Sequence, residues 1–216
     1  MRLNRTSIAL LQTSRYVEYL DSTIGTAGDN MNPDRIYQQH RDDAFAKQVT
    51  SKTYSTFVAM PFGDRFSYRS SEIFTNVICA AAEDANKSGR TKRKFATPHR
   101  VDKSPGIAFN ITEEIVVSIL EMHFVVADLT WANHGVLVEM GLALGLKPNS
   151  RIIALMQGSP SDLHFDLKHN NVIQYDNPEK AIELVSNALI AAAEAFEAER
   201  DHHVDSIKRR LSYDAI

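Results

Sequence analysis

A lone carboxylate, Glu139, lies within the apolar run Val138-Glu139-Met140-Gly141-Leu142-Ala143. Such surroundings hold a charged group away from free water, so it needs a partner or a ligand; its place early in a helical stripe also suits an ordinary helix-dipole role. Upstream, Asp128 closes the apolar stretch His123-Phe124-Val125-Val126-Ala127, where it can do chemistry or serve as an N-cap or Asx-turn. Thr130 and Trp131 follow, and the single tryptophan is suited either to stack on a base or to close the loop over the core. Arg100 and Asp102 make a further polar pair that reads equally well as a salt bridge.

Other chemistries lack their residues. The eight histidines form no HExxH, no CxxC exists, and the only close pair is His202-His203 in a charged stretch, so no metal is expected. There is no GxSxG elbow, no P-loop and no GxGxxG, and a phosphorylated receiver would need an acidic pair where this chain has Met60-Pro61-Phe62. The basic run Arg90, Lys92, Arg93 and Lys94 has no interleaved aromatic before Phe95 and reads as a solvated connection. With 24 Lys plus Arg against 27 Asp plus Glu, the formal charge of −3 provides no field for nucleic acid or an anionic membrane. Cys79, the one cysteine, sits in Val77-Ile78-Cys79-Ala80-Ala81 as a small buried hydrophobe. No run approaches the roughly 18 apolar residues of a membrane span, and a reducing cytoplasm is the expected location.

The elements that must position these residues follow from periodicity. Thr56-Phe57-Val58-Ala59-Met60 reads as a buried strand stopped by Pro61 and Gly63. Glu72 to Lys87 repeats apolar residues at helical spacing and ends at Gly89, a favourable left-handed cap. A second strand is expected near Lys94 to Ala96, and Asn110 with Glu113 forms a capping box for a helix bearing Ile111, Ile115 and Ile119. The His123–Ala127 strand leads into a helical stripe of Val136, Met140 and Leu144, in which Gly141 and Gly145 would let a neighbouring element approach closely. Ile152-Ile153-Ala154-Leu155-Met156 and Val172-Ile173-Gln174-Tyr175 complete five strands, and Asn177-Pro178 starts a last helix.

Strands alternating with helices predict parallel pairing through right-handed crossovers in a three-layer α/β sandwich. The expected fold is flavodoxin-like, a five-stranded parallel sheet of order 2-1-3-4-5. Ligands bind such sheets beyond the carboxyl ends of the strands where the winding reverses, which here nominates Met60-Pro61-Phe62-Gly63 and Asp128-Leu129-Thr130. Residues 1–52 form a helical arm broken at Gly25 to Asn30, with Pro33 opening its second helix, which ends near Gln48; residues 53–199 form the α/β domain and 200–216 a charged tail.

Taken together, Phe57-Val58-Ala59-Met60-Pro61-Phe62, Arg100-Val101-Asp102, Val125-Val126-Ala127-Asp128-Leu129-Thr130, Asn133 and the run Val136 to Lys147 resemble the nucleoside 2-deoxyribosyltransferase-like proteins and the related bacterial TIR-like domains. The resemblance covers about Ser55 to Tyr175. It implies an N-glycosidase or transferase acting on a nucleoside, nucleotide or NAD, with Glu139 as nucleophile or stabiliser of the sugar cation and Asp128 or Asp102 as a candidate acid. Met60, Pro61, Phe62, Gly63, Arg100, Thr130, Trp131, Asn133 and Gly135 would line the site. NAD would be a substrate, and no cofactor is expected. Two positions depart from the family pattern: Gly135 replaces a second Asn, and Val138 replaces an aromatic residue, which bears on sugar and base contacts. The other reading is a non-catalytic nucleotide-sensing and assembly module. A homo-oligomer is expected, in which the arm packs on another subunit or covers the edge of the core, because Ile8, Leu11, Tyr16, Val17 and Leu20 give the arm apolar residues that an isolated helix cannot bury; packing on its own core is the other arrangement that would bury them.

Overall fold

The computed structural model describes residues 33–65, 68–101, 111–159 and 172–213. The chain divides into two compact units, Met1–Ala46 and Lys47–Ile216. Pro33, whose fixed φ suits a first helical position, opens α1 (Pro33–Thr50). The division falls before the expected limit at residue 52 because the last turn of α1 is already tied into the second unit. The Gln48 amide donates to Leu120 O (2.8 Å) and Met122 O (3.2 Å) and accepts from Arg151 Nη1 (2.8 Å).

In the second unit β1 (Thr53–Tyr54) and β2 (Thr56–Ala59) lead to a continuous helical segment made of α2 (Ser70–Ile73), a π-helical stretch Phe74–Cys79 and α3 (Ala80–Ser88). It stops at Gly89, whose φ of 67° is the left-handed conformation that glycine adopts without a Cβ penalty. Then come β3 (Lys94–Phe95), α4 (Ile111–Glu121), β4 (Phe124–Asp128), α5 (His134–Leu146), β5 (Ile152–Gln157), β6 (Val172–Tyr175) and α6 (Pro178–Tyr213).

Among the described residues the paired strands are all parallel, as buried apolar strands separated by helices require. They do not form one continuous five-stranded sheet. A four-stranded sheet has the order β2-β4-β5-β6, and β1 pairs with β3 in a separate two-stranded ladder. Beyond β3 the contact continues only as a bridge, with His99 N donating to Thr56 O (2.9 Å) and Val58 N to His99 O (2.8 Å). Pro98 lies between and has no N–H to carry the ladder through.

Side-chain alternation separates two faces of the main sheet. Phe57, Ala59, Val125, Ala127, Ala154 and Met156 pack with Ile119 of α4 and with Val136, Met140 and Ala143 of α5. The alternate residues Val58, Val126, Ile153 and Leu155 are equally buried but belong to no part of that cluster, and neither do Val185, Leu189 and Phe196 of α6. α6 packs on α3 and along β5 and β6.

Three expectations change. The region from residue 200 is no separate tail, since α6 runs unbroken to Tyr213. Gly141 and Gly145 are exposed, and a Cβ at either would meet nothing within 4 Å, so close approach of a neighbouring element does not require glycine at these positions. The basic run is not a solvated connection throughout. Arg93 is half-buried, pairs with Glu197 of α6 (3.1 Å) and donates to the terminal carbonyls of α1 at Gln48 (2.8 Å) and Val49 (3.2 Å) and to Ser51 O (2.8 Å). Lys92 pairs with Asp201 (3.3 Å) and Arg90 with Glu194 (3.6 Å). Tyr54 also donates to Glu197 (2.9 Å), so these ties clasp the amino-terminal end of the sheet.

Candidate functional site

The opposite end of the sheet carries the loops after β2 and β4. After β4 the chain makes a short left-handed turn, Thr130–Ala132, with φ 62° at Trp131 and 49° at Ala132. Two successive non-glycine residues in this region cost roughly 1–2 kcal/mol each and persist only where neighbours over-determine them. The neighbours are present. Leu129 N donates to Leu155 O (2.8 Å), Ala132 N to Leu129 O (2.9 Å) and Gln157 N to Thr130 Oγ1 (3.0 Å).

Asp128 is the anchor of this turn. Fully buried, it accepts at Oδ1 from Thr130 N (3.0 Å) and Thr130 Oγ1 (2.5 Å), and at Oδ2 from Tyr68 Oη (2.8 Å). Burial pushes its carboxyl pKa up, while the three hydrogen bonds pull the other way. Burial together with the Asp128 charge likewise pushes the Tyr68 phenol far above its ordinary range, so it stays a donor.

Tyr68 joins the two loops. Its ring meets Trp131 edge-on at 4.7 Å, and its backbone exchanges two hydrogen bonds with Arg65 (3.0 and 3.1 Å). The Arg65 guanidinium lies 5.6 Å over the Trp131 ring, so the indole is already engaged by protein groups and is not a bare stacking platform. Met60 and Pro61 are buried beneath the β2 loop, whereas Phe62 is 62% exposed. Gly63 follows with φ 86°, a turn that a side chain would strain. Arg100 is buried with its guanidinium 5.5 Å over Phe62 and 5.2 Å over Phe74.

α5 begins directly after the strained turn. Asn133 is its N-cap, accepting from Gly135 N (3.0 Å) and Val136 N (3.3 Å). A Cβ at Gly135 would stand 3.3 Å from Asn133 Oδ1, so the glycine protects the cap. Glu139 lies in the second turn, half-buried beside the core-facing Val136, Met140 and Ala143, and Val138 next to it is exposed. No hydrogen bond or ion pair reaches the Glu139 carboxylate among the described residues. Burial alone pushes its pKa up to about 7.

The structure thus links Phe62 with Arg100, and Asp128 with Thr130 and, through Tyr68, with Trp131. Asn133 and Gly135 shape the start of the helix that presents Glu139. Asp102 lies outside the described residues, as does Asn110 of the expected capping box. Tyr68, Arg65 and Gln157 escaped the sequence reading. Tyr68 sits in the polar stretch Asp64 to Ser71 with Phe66 as its one aromatic neighbour, a run too short to read as an element.

Among the described residues no group of three or more His, Cys, Asp or Glu is arranged to hold a metal, and no helix is long and apolar enough to cross a membrane. No protein-family model matches the chain, and no curated protein matches it. Among solved structures, the metal-soaked Flv1 flavodiiron core from Synechocystis sp. PCC6803 is similar, at 12% identity and a TM-score of 0.43 over 77% of this chain. The chain spans 40% of the length of that protein.

Proposed function

We infer that the protein cleaves or transfers an N-glycosidic bond of a nucleoside, nucleotide or NAD, with Glu139 acting at the anomeric carbon. The observation that carries this reading is a half-buried carboxylate with no protein partner among the described residues, its pKa raised to about 7, on the helix that starts at the strained Asp128 loop. A structural carboxylate would be paired or solvated. The resemblance of the Met60-Pro61-Phe62, Asp128-Leu129-Thr130 and Val138-Glu139-Met140 stretches to the deoxyribosyltransferase-like and TIR-like proteins supports the same role.

Breaking the C1′–N bond leaves the electron pair on the base and builds positive charge on the sugar ring. An ionised Glu139 stabilises that charge, or bonds to C1′ as a glycosyl ester in the manner of retaining glycosidases. In hydrolysis water then supplies hydroxide to C1′ and a proton to the base; in transfer a second base attacks C1′. Asp128 acts by positioning, because both of its oxygens are occupied by Thr130 and Tyr68. We read the β1-β3 ladder and the Phe57–His99 bridge as the edge of the expected 2-1-3-4-5 order, which would put the β2 and β4 loops at the switch point. Incubation with NAD and with deoxynucleosides, followed by product analysis, tests the reading. Free nicotinamide, free base or exchanged base is expected. Binding without any product would instead favour the nucleotide-sensing module.

A further inference from the structure

A departing purine needs a proton, and the acids placed so far do not supply one: Asp128 has both oxygens occupied by Thr130 and Tyr68, and Asp102 lies outside the described residues. His99 and Glu114, which no step above uses, form a pair on the face of the sheet that carries Glu139. The backbone of His99 is fixed, its N donating to Thr56 O (2.9 Å) and its O accepting from Val58 N (2.8 Å), so that it stands beside Phe57 in parallel register. Residues paired in this way point their side chains to the same side, and Phe57 packs with Ile119 of α4 and with Val136 and Met140 of α5. The imidazole therefore lies in the layer of those two helices, where its Nε2 meets Glu114 Oε1 at 3.9 Å. Its side chain is 35% exposed, open enough for a ligand to reach. The pair also belongs to the correct end of the sheet. α4 finishes where Leu120 O and Met122 O accept from Gln48, at the amino-terminal end, so its first turn lies about 15 Å away, towards the loops after β2 and β4. Glu114 is three residues into α4, and Glu139 is five residues into α5, which starts at that same end.

Resting on the glycosidic reading above, we propose that His99 is the general acid for purine release, donating a proton from Nδ1 to a ring nitrogen of the base, with Glu114 the positioning residue that holds the imidazole through Nε2. Histidine suits the task because it exchanges protons near neutral pH, and a carboxylate facing one ring nitrogen fixes the direction of the other. A purine that takes the C1′–N9 electron pair is an anion until protonated, so the proton passes from His99 as the bond breaks and the base departs neutral. Water that then attacks C1′ gives hydroxide to the sugar and returns a proton to His99. Nicotinamide leaves NAD differently. Its ring nitrogen is cationic in the substrate and becomes neutral on taking the electron pair, so it needs no acid.

The test measures base release from deoxyguanosine and from 7-methyldeoxyguanosine, whose base is already cationic and leaves without a proton, each above the uncatalysed rate. His99→Gln, with circular dichroism confirming the fold, should lower guanine release at least ~10²-fold and 7-methylguanine release by no more than a few-fold. Glu114→Gln should give a smaller loss, again confined to guanine, and carries the test if His99→Gln fails to fold. Equal losses on the two substrates, or none on either, overturn the acid assignment. Wild type that releases nicotinamide from NAD but no guanine overturns it too and leaves the glycosidic reading standing, whereas no release from any of the three compounds overturns both.

Discussion

Glu139 and Tyr68 perform different tasks at the same end of the sheet, and substitutions separate them. If Glu139 acts as proposed it must be ionised to face a sugar cation, and since burial raises its pKa to about 7, kcat/KM for NAD should rise about tenfold per pH unit below that value and level off above it. A pH–rate profile checks this, and an acid-side optimum would contradict it. The same shift runs against stability. A carboxyl whose folded pKa lies above its unfolded value contributes stability that is fully present below about 4.5 and is lost as pH rises through about 7. Glu139→Gln should therefore be more stable than wild type at pH 8, by about 1–2 kcal/mol in urea titrations once the full shift of roughly 3 kcal/mol is discounted for solvent screening of this half-exposed group, while losing activity. Tyr68→Phe removes a donor from a fully buried carboxylate and should cost about 1–3 kcal/mol, with a shift in Trp131 fluorescence because the ring contact at 4.7 Å is disturbed. An unchanged midpoint and spectrum would show that the phenol does not hold the loop.

The elements were legible to the extent that their burial is local. The strand Thr56–Ala59 is apolar on both faces and is cut by Pro61 and Gly63, and the helix to Ser88 stops at Gly89, so both ends are written in residue types. Gly89→Ala should cost about 1 kcal/mol, since its φ of 67° penalises a Cβ although no atom within 4 Å would clash with it; thermal denaturation measures it. What stayed hidden depends on residues far apart in the chain. Arg93 reads as one member of a charge run until α6 brings Glu197 to 3.1 Å and α1 presents its last carbonyls. The interruption of the edge ladder needed only Pro98, but nothing around it revealed that His99 would resume the pairing. In the same way Asp128 was visible as a candidate, whereas its occupation by Tyr68 and Thr130 depends on a loop contact that no periodicity encodes.

At the scale of the second unit, the two ends of the sheet carry opposite kinds of polarity. The amino-terminal end is a hydrogen-bonded and ion-paired network in which His123 Nε2 donates to Gln48 O (3.0 Å) and Nδ1 accepts from Ser55 N (3.1 Å), and its pKa is lowered to about 4, first by burial and then by Arg93, Lys147 and Arg151. The sign follows from linkage: a histidine with a depressed folded pKa contributes stability present above about 6.5 and lost as pH falls through about 4. Unfolding free energy should drop by ~3 kcal/mol over that window, and His123→Gln should flatten the slope whatever its stability at pH 7. The carboxyl-terminal end, by contrast, holds strain at Trp131 and Ala132, an exposed aromatic at Phe62, and Glu139 without a protein partner among the described residues. Asp128 at that end is hydrogen-bonded by Thr130 and Tyr68, which leaves Glu139 as the carboxylate that a ligand would complete on the proposed reading. The most direct test of that account is base release by folded Glu139→Gln beside wild type at pH 8, with NAD and deoxynucleoside 5′-monophosphates as substrates and circular dichroism confirming the fold. A loss of at least ~10²-fold is predicted, because the amide keeps the shape and removes the charge that is proposed to face the sugar cation, and near-wild-type release by the variant would contradict it.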